Sequence, residues 1–455
     1  MSSRLNIVIL AAGQGTRMKS ALPKVLHKIA HKPLLEHVLD TARRLAAHTI
    51  HVVYGHGGEQ VREQLNDQDV NWVLQDRQLG TGHAVEQAMP AIPDNETVLI
   101  LYGDVPLITT ETLQRLIHAA DGGALGLLTA QLSDPTGYGR IIRNESGEVI
   151  RIVEQKDATD EQRQVKEINT GMLALESNRL KQWLTRLENN NVQGEYYLTD
   201  VIGMAAQEGI KINTVQPMAL PEIEGINNKL QLAQLERVYQ MQQAEKFMQQ
   251  GVTFRDPARF DLRGDLEVGQ DVIIDVNVIV EGKVKLGSGV TIGPNTFIKD
   301  SELADNVTVQ PNCVIESAVI GKGCDIGPFA RVRPDTVLAE QVKIGNFVEV
   351  KKATIDTGSK VNHLSYIGDT TMGKNVNIGA GTITCNYDGA NKHRTIIGDN
   401  VFVGSDTQLV APVEVGEGAT IGAGSTITHD APKAELTLSR APQKTRQGWK
   451  RPVKK

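Results

Sequence analysis

The chain has 455 residues, a formal net charge of −6 and only 4 % aromatic residues. That length exceeds one small core and predicts two domains of roughly 200 residues each. The mild acidity gives no global attraction to nucleic acid or to an anionic membrane, so neither is expected as a partner.

The apolar run Ile7–Ala12 is too short for a signal-peptide core or a membrane span, and no other window approaches about 20 apolar residues. Cys313, Cys324 and Cys385 are scattered without a CxxC pair. That excludes a disulfide frame and a structural zinc site, and it fits a soluble protein in a reducing cytoplasm.

In chain order, NIVIL (6–10), HTIHVVYG (48–55), TVLILYG (97–103) and GALGLLTA (123–130) read as buried strands. Between them LLEHVLDTARRLAA (34–47) and TLQRLIHAA (112–120) carry apolar residues at helical spacing. This alternation predicts a mostly parallel sheet with helices on both faces.

The first strand runs into LAAGQGTRM (10–18). Gly13 and Gly15 look like the start of a dinucleotide fingerprint, but its third glycine position holds Met18. A Gly-rich turn after a strand offers backbone N–H groups to any phosphate. Arg17 and Lys24 add two cations, which suit a reaction in which negative charge builds on departing pyrophosphate. Asp104 follows VLILYG at a strand's carboxyl end, a hard oxygen donor placed to hold Mg²⁺ near phosphates.

Residues 228–250 contain no Gly or Pro and predict one long linking helix, with Gly251 as its stop. From residue 262 the period becomes six. Aliphatic residues recur from Leu262 through Val268, Ile274 and Val280 to Ile427, with five-residue steps and one interruption. A coiled parallel sheet holds this period, each hexad making one flat side with its aliphatic residue inward. Gly often follows the aliphatic residue and is expected to ease the corner.

That register predicts which side chains face out. Arg333 and Lys351 are 18 residues apart and should stack on adjacent coils about 4.8 Å apart. Two such cations repel by roughly 1 kcal/mol in water, a cost that nearby Glu349 would relieve or that an anionic ligand would use. In VNHLSYIGD, Val361 points inward, leaving His363 and Tyr366 outward. An imidazole there can accept a proton near neutral pH. Asn377, Asn386 and Tyr387 follow, and TCNYDGANKHRT (384–395) reads as a loop extruded from the rod. The last sixteen residues hold seven Lys/Arg and no acid: a solvated tail, or an arm for an anionic ligand on a neighbouring subunit.

The repeat resembles the hexapeptide-repeat family, which implies a left-handed parallel β-helix of about nine coils over 262–430. LAAGQGTRM with its following PK resembles the sugar-1-phosphate nucleotidyltransferases. With QLGTGHA (78–84), DPTGYGRI (134–141), IVEQKDAT (152–159), EINTG (167–171), GEYYLTD (194–200) and EGINNKLQL (224–232), the whole chain resembles the bifunctional N-acetylglucosamine-1-phosphate uridyltransferase/glucosamine-1-phosphate acetyltransferase family. The resemblance implies an α/β, Rossmann-like nucleotidyltransferase domain at 1–227, a helical linker at 228–250, and a β-helix acetyltransferase domain with its basic arm at 251–455.

It further implies that Leu10, Ala11, Ala12 and Gly13 hold UTP through their backbone with Lys24 on the phosphates. Gln75, Gly80 and Thr81 would read the uracil. Tyr102, Gly103, Gly139, Glu154 and Asn169 would line the sugar site, and Asp104 and Asn227 would bind Mg²⁺. In the second half, Arg333, Lys351, Tyr366 and Asn377 would hold glucosamine-1-phosphate, with His363 as proton acceptor. Acetyl-CoA would lie along Ala380, Asn386, Tyr387, Ser405, Ala423 and Arg440. The family's members are homotrimers serving bacterial cell-envelope synthesis, peptidoglycan and lipopolysaccharide included. Two other readings stay open at this point: a single-function nucleotidyltransferase with a structural or regulatory β-helix, and a non-catalytic scaffold.

Overall fold

A computed structural model describes residues 4–454 except 56–57 and 66–68. The chain forms two compact units, Met1–Tyr239 and Gln240–Lys455. Their division falls inside the helix Lys229–Gln249, so the expected linker is shared between the units. Leu235 is buried among Met18, Ile29 and Ile226 of the first unit, whereas Ala244 and Phe247 belong to the core of the second.

The main sheet of the first unit has nine strands among the described residues: β1 (Leu5–Leu10), β2 (Thr49–Gly55), β3 (Asn71–Gln75), β4 (Thr97–Tyr102), β5 (Leu125–Gln131), β6 (Arg140–Arg143), β7 (Val149–Val153), β8 (Glu167–Glu176) and β9 (Ile212–Val215). Their order is β9-β5-β8-β4-β1-β2-β3, with β6 pairing to β8 and to β7. β8 runs antiparallel to both β4 and β5, while β1 is parallel to β2 and β4.

Strand β1 shows why the sheet is covered on both faces. Ile7 and Ile9 join one buried cluster and Val8 and Leu10 the other, as alternate side chains must. Each such burial contributes about 1.5–3 kcal/mol. Leu10 and Tyr102 are register partners at the carboxyl ends of β1 and β4. Gly103 N donates to Leu10 O at 3.0 Å, so the chain leaves these two strands side by side, over one spot.

The second unit is a parallel β-helix. One side is an 11-stranded parallel sheet, and the other two sides merge into a 17-stranded one. Ile274, Ile292, Val309, Ile326, Ile344, Val361, Ile378, Val403 and Ile421 all point inward in one stack. The rod starts earlier than the hexads suggest, at Thr253–Phe254, and ends later, at Leu436–Thr437. Its first coil is packed by Phe254 and Phe260, whose rings meet at 4.8 Å, and aromatics do not register in an aliphatic period.

The glycine expectation holds at Gly327, whose φ is +103°, but not at most such positions. Gly293, Gly321 and Gly345 have no positive φ, so they do not ease a corner. A Cβ on Gly345 would lie 2.0 Å from Asn362 O of the next coil, so close approach of stacked backbones is what excludes a side chain. The left-handed corner positions are shared by glycines such as Gly289, Gly323 and Gly424 and by polar residues such as Asn277, Asn295 and Asn312, and the amides of those three Asn residues stack in a ladder at 2.9 and 3.3 Å.

Candidate active sites

The first site forms where β1 and β4 end. After Leu10 the chain passes Gly13 into a single 3-10 turn, Thr16–Met18. Met18, at the missing third-glycine position, is an anchor buried with Ile29, Leu34 and Ile226. Gly15 has φ +62° and would drive a Cβ into the side chain of Lys24. Glycine there lets Lys24 lie across the loop.

Lys24 Nζ bonds Asp104 Oδ2 and reaches Asn227 Oδ1 at 3.2 Å. Arg17 donates to the same Asn227 oxygen at 2.9 Å. Asn227 is held in turn: Ile226 N donates to Asp104 O at 2.9 Å, and Asn227 N to Gln231 Oε1 at 2.8 Å. Four residues named from the sequence thus meet. Two hard oxygens converging on a cation are a donor set that fits a divalent metal. Among the described residues, no group of three His, Cys, Asp or Glu could hold a metal unaided, so further ligands would come from phosphate and water.

Beside this cluster opens a cavity of about 550 Å³ lined by Leu10–Gly13, Lys24, Gln75, Gly80, Thr81, Tyr102 and Asp104. Gly80 has φ +116°, and a Cβ there would lie 2.6 Å from Tyr196 O. This crossing is fixed by Gly82 N donating to Tyr196 O and Tyr196 N to Leu79 O, both at 2.8 Å. Gln75 is buried and donates to Gly80 O at 3.1 Å. Thr81 Oγ1 accepts from Leu198 N at 3.1 Å.

Gly103, Gly139, Glu154, Asn169 and Asn227 are not among the residues lining that cavity. Three of them group together: Asn169 N donates to Gly139 O at 2.9 Å, and a Cβ on Gly139 would sit 3.2 Å from Glu154 Oε1. Tyr102 connects this group to the cavity, its ring packed against Gly171. Burial pushes the Tyr102 hydroxyl far up, with Glu154 and Asp104 adding to it. Burial also raises Glu154, against the hydrogen bond from Thr199. Glu154 lines a second cavity, of about 580 Å³, with Asp157 and Asp200.

Gln78, Gln14 and Glu195 also line the first cavity, and the sequence reading had assigned them no role. Gln78 lies in QLGTGHA, and its amide bonds the Ala12 carbonyl.

The second site lies on the rod. Leu364, Gly381, Asp406 and Gly424 donate to the carbonyls of Asn346, His363, Ala380 and Ser405 at 2.7–3.2 Å. Asn346, His363, Ala380, Ser405 and Ala423 therefore occupy one corner column. His363, Ser405 and Ala423 are exposed, which leaves an open track running from His363. Arg440 reaches its far end, donating to Ala423 O at 2.7 Å.

His363 Nδ1 lies 2.8 Å from Asn346 Oδ1. An amide oxygen accepts, so Nδ1 carries a hydrogen, and Nε2 is the nitrogen left for a ligand. Asn346 escaped the sequence reading because it is 17 residues back, on a shortened coil. Arg333 N donates to Val350 O, placing Arg333 beside Lys351 as expected. Arg333 pairs with Glu349 at 2.6 Å. Lys351 is held below the usual lysine range by Lys392, then by Arg333.

Lys392 is a third cation the sequence reading missed. The extruded loop is shorter than expected, since Ile383–Cys385 and Thr395–Ile397 remain in the ladder. Its tip is tied by Asp388, which accepts from Ala390 N, Asn391 N and His393 Nε2, and Tyr387 bridges to Lys392. Asn386 is buried and donates to Asp369 Oδ2 at 2.5 Å and Tyr366 Oη at 3.4 Å. Its side chain braces Tyr366 and does not face outward. Asn377 lies on the ladder opposite Phe402.

A nucleotide loop at the strand ends followed by a hexapeptide rod defines a nucleotidyltransferase joined to a hexapeptide transferase. Residues 7–162 match the MobA-like NTP transferase domain, 262–356 the GMPPB C-terminal domain, and 394–429 the bacterial transferase hexapeptide (six repeats). The chain is 59 % identical over 452 residues to the bifunctional protein GlmU of Marinobacter nauticus, covering 99 % of this chain and 100 % of that one. A solved nucleotidyl transferase from Methanothermobacter thermautotroptrophicus matches at 18 % identity with a TM-score of 0.37, over 55 % of this chain and 99 % of its own.

The chain belongs to the bifunctional GlmU family and is a two-activity enzyme, uridyltransferase and acetyltransferase. The full-length match sets aside both the single-function and the scaffold readings. No described helix is long and apolar enough to cross a membrane.

Proposed function

We propose that the second unit acetylates glucosamine-1-phosphate with acetyl-CoA and the first couples the product to UTP, giving UDP-N-acetylglucosamine and pyrophosphate. The observation carrying the first half is the meeting of Arg17, Lys24, Asp104 and Asn227 where β1 and β4 end. In our reading the backbone from Leu10 to Gly13 cradles the nucleotide, Gln75, Gly80 and Thr81 border the uracil, and Tyr102, Gly103, Gly139, Glu154 and Asn169 surround the sugar.

A phosphate oxygen of the sugar attacks the α-phosphorus of UTP, and the bond to the bridging oxygen of the β-phosphate breaks. Arg17 and Lys24 stabilise the charge on the leaving pyrophosphate, while the protein supplies positioning rather than a covalent nucleophile. Asp104 and Asn227 would hold Mg²⁺, which would offset phosphate charge when bound.

In the second half Arg333 and Lys351, with Lys392 as an addition, receive the sugar phosphate, beside Tyr366 and Asn377. The substrate amine attacks the thioester carbonyl, the C–S bond breaks, and the coenzyme leaves as thiolate. His363 takes the amine proton at Nε2, with Asn346 fixing the tautomer. Acetyl-CoA extends along Ala380, Ser405 and Ala423 toward Arg440, with Tyr387 beside it. Asn386 contributes by bracing Tyr366.

The exposure of that track is in keeping with a homotrimer in which a second copy closes each site. We place the enzyme in the cytoplasm, in cell-envelope precursor synthesis. The test is paired: pyrophosphate release from UTP with N-acetylglucosamine-1-phosphate and Mg²⁺, and thiol release from acetyl-CoA with glucosamine-1-phosphate. A sedimentation mass of three chains checks the assembly.

A further inference from the structure

Beside the phosphate loop lies a buried histidine that the chemistry above does not use. His27 ends LPKVLH, and its amide donates to Lys24 O at 3.2 Å. Only 6 % of its surface is exposed. Its Nδ1 lies 3.0 Å from Lys229 Nζ. An ammonium can only donate, so Nδ1 accepts and the ring is neutral. Burial and the Lys229 charge both hold the imidazole below the usual histidine range, in agreement. Nε2 is buried with no formed hydrogen bond among the described residues, although the Leu22 backbone faces the ring. A buried polar group this poorly satisfied is a weak contribution to stability and calls for another reason to be there.

Lys229 is out of place in its own way. It opens the helix Lys229–Gln249, just after Asn228, whose Oδ1 accepts from Gln231 N at 2.9 Å. A cation in a first helical turn opposes the helix dipole. Yet it stands two residues after Asn227. The bond to His27 thereby joins the turn carrying Lys24 to the loop carrying Asn227.

Glu236 Oε2 accepts from Ala30 N at 2.9 Å further along both segments, whereas the side-chain links beside the site, from Arg17 and Lys24, end on Asn227 Oδ1. In the uridylyl-transfer reading, on which this inference rests, those groups are given over to phosphate and metal once the nucleotide enters. The His27–Lys229 bond uses none of them.

We propose that His27 and Lys229 are a positioning pair that keeps the Lys24 turn in register with the Asn227 loop while the reacting side chains turn to the nucleotide. The test uses the full-length protein as native enzyme, His27→Leu, Lys229→Met, the double variant and His27→Asn. Uridylyl transfer (kcat and KM separately), calorimetric binding of UTP with Mg²⁺, and acetyl transfer are measured for each.

Either single change is expected to lower kcat/KM for uridylyl transfer about 10-fold, which is about 1.4 kcal/mol. UTP binding should weaken and acetyl transfer should be unchanged. The double variant should be no more than about twofold worse than the worse single one, because one bond is lost once. His27→Asn, whose Oδ1 can accept from Lys229, should recover to within about threefold of native.

Multiplying losses in the double variant, His27→Asn as poor as His27→Leu, or Lys229→Met indistinguishable from native would each overturn the proposal. Lys229 is exposed, so that variant remains informative even if His27→Leu fails to fold. Native enzyme without uridylyl transfer would instead count against the functional reading.

Discussion

The two sites are assembled on opposite principles. At the phosphate loop Arg17, Lys24, Asp104 and Asn227 come from sequence positions up to 210 residues apart and meet through direct bonds. On the rod His363, Ala380, Ser405 and Ala423 come from successive coils and share one corner column through backbone register. The first arrangement concentrates charge at a point, which suits a leaving group whose charge appears at a point. The second draws out a track, which suits an extended carrier with its reactive end at the base. Losing one member of the point, or His363 at the base of the track, should collapse that function, whereas losing a step further along the track should cost only that step.

The sharpest break should come at His363. Substitution His363→Ala is expected to cut acetyl transfer by about 10²- to 10⁴-fold and leave uridylyl transfer within twofold, read as thiol and pyrophosphate release from one preparation. Lys24→Met should do the reverse, lowering uridylyl transfer about 10²- to 10³-fold with acetyl transfer intact.

A smaller effect is expected at Gly80, where alanine must accept φ +116° and a Cβ 2.6 Å from Tyr196 O. Gly80→Ala should destabilise the first unit by about 1–3 kcal/mol, seen as a lower urea midpoint for uridylyl-transfer activity alone.

The smallest concerns the cation cluster. Lys392 and Arg333 depress the Lys351 pKa, so Lys351 loses its charge at lower pH than an ordinary lysine. Affinity for N-acetylglucosamine-1-phosphate, which has no free amine, should be present on the low-pH side. It should fall as pH rises through that depressed value. Lys392→Met should weaken binding about threefold at neutral pH, an effect of the order of 0.7 kcal/mol. The same change should move the alkaline limb upward, measured by calorimetry between neutral pH and the lysine range.

What could be read from the sequence follows the same division. The rod's inward stack and the adjacency of Arg333 and Lys351 were legible because a fixed period carries its own geometry. Asn346 and Lys392 were not: one contact depends on a shortened coil, and the other sits in a loop that breaks the period. The rod's true start was hidden by Phe254 and Phe260, which replace aliphatic residues in the first coil.

In the first unit the residues that gather at the strand ends were legible in LAAGQGTRM and in the Asp104 that follows VLILYG. The antiparallel placement of β8 was not, since hydrophobic pattern carries no direction. Nor could any pattern reveal Gln78 on the Ala12 carbonyl or His27 on Lys229, which are pairings between distant segments. Met18 shows the limit from the other side: its departure from the glycine fingerprint was plain, while its role as a core anchor needed the fold.

The measurement that bears most directly on two separate chemistries in one chain is thiol release from acetyl-CoA with glucosamine-1-phosphate, for native enzyme and His363→Ala. Uridylyl transfer is assayed in parallel. Release by the native enzyme that collapses in the variant, with uridylyl transfer unchanged, is the expected result. Native enzyme without release, or a variant that retains it, would contradict the assignment of the rod as an acetyltransferase with His363 as its base.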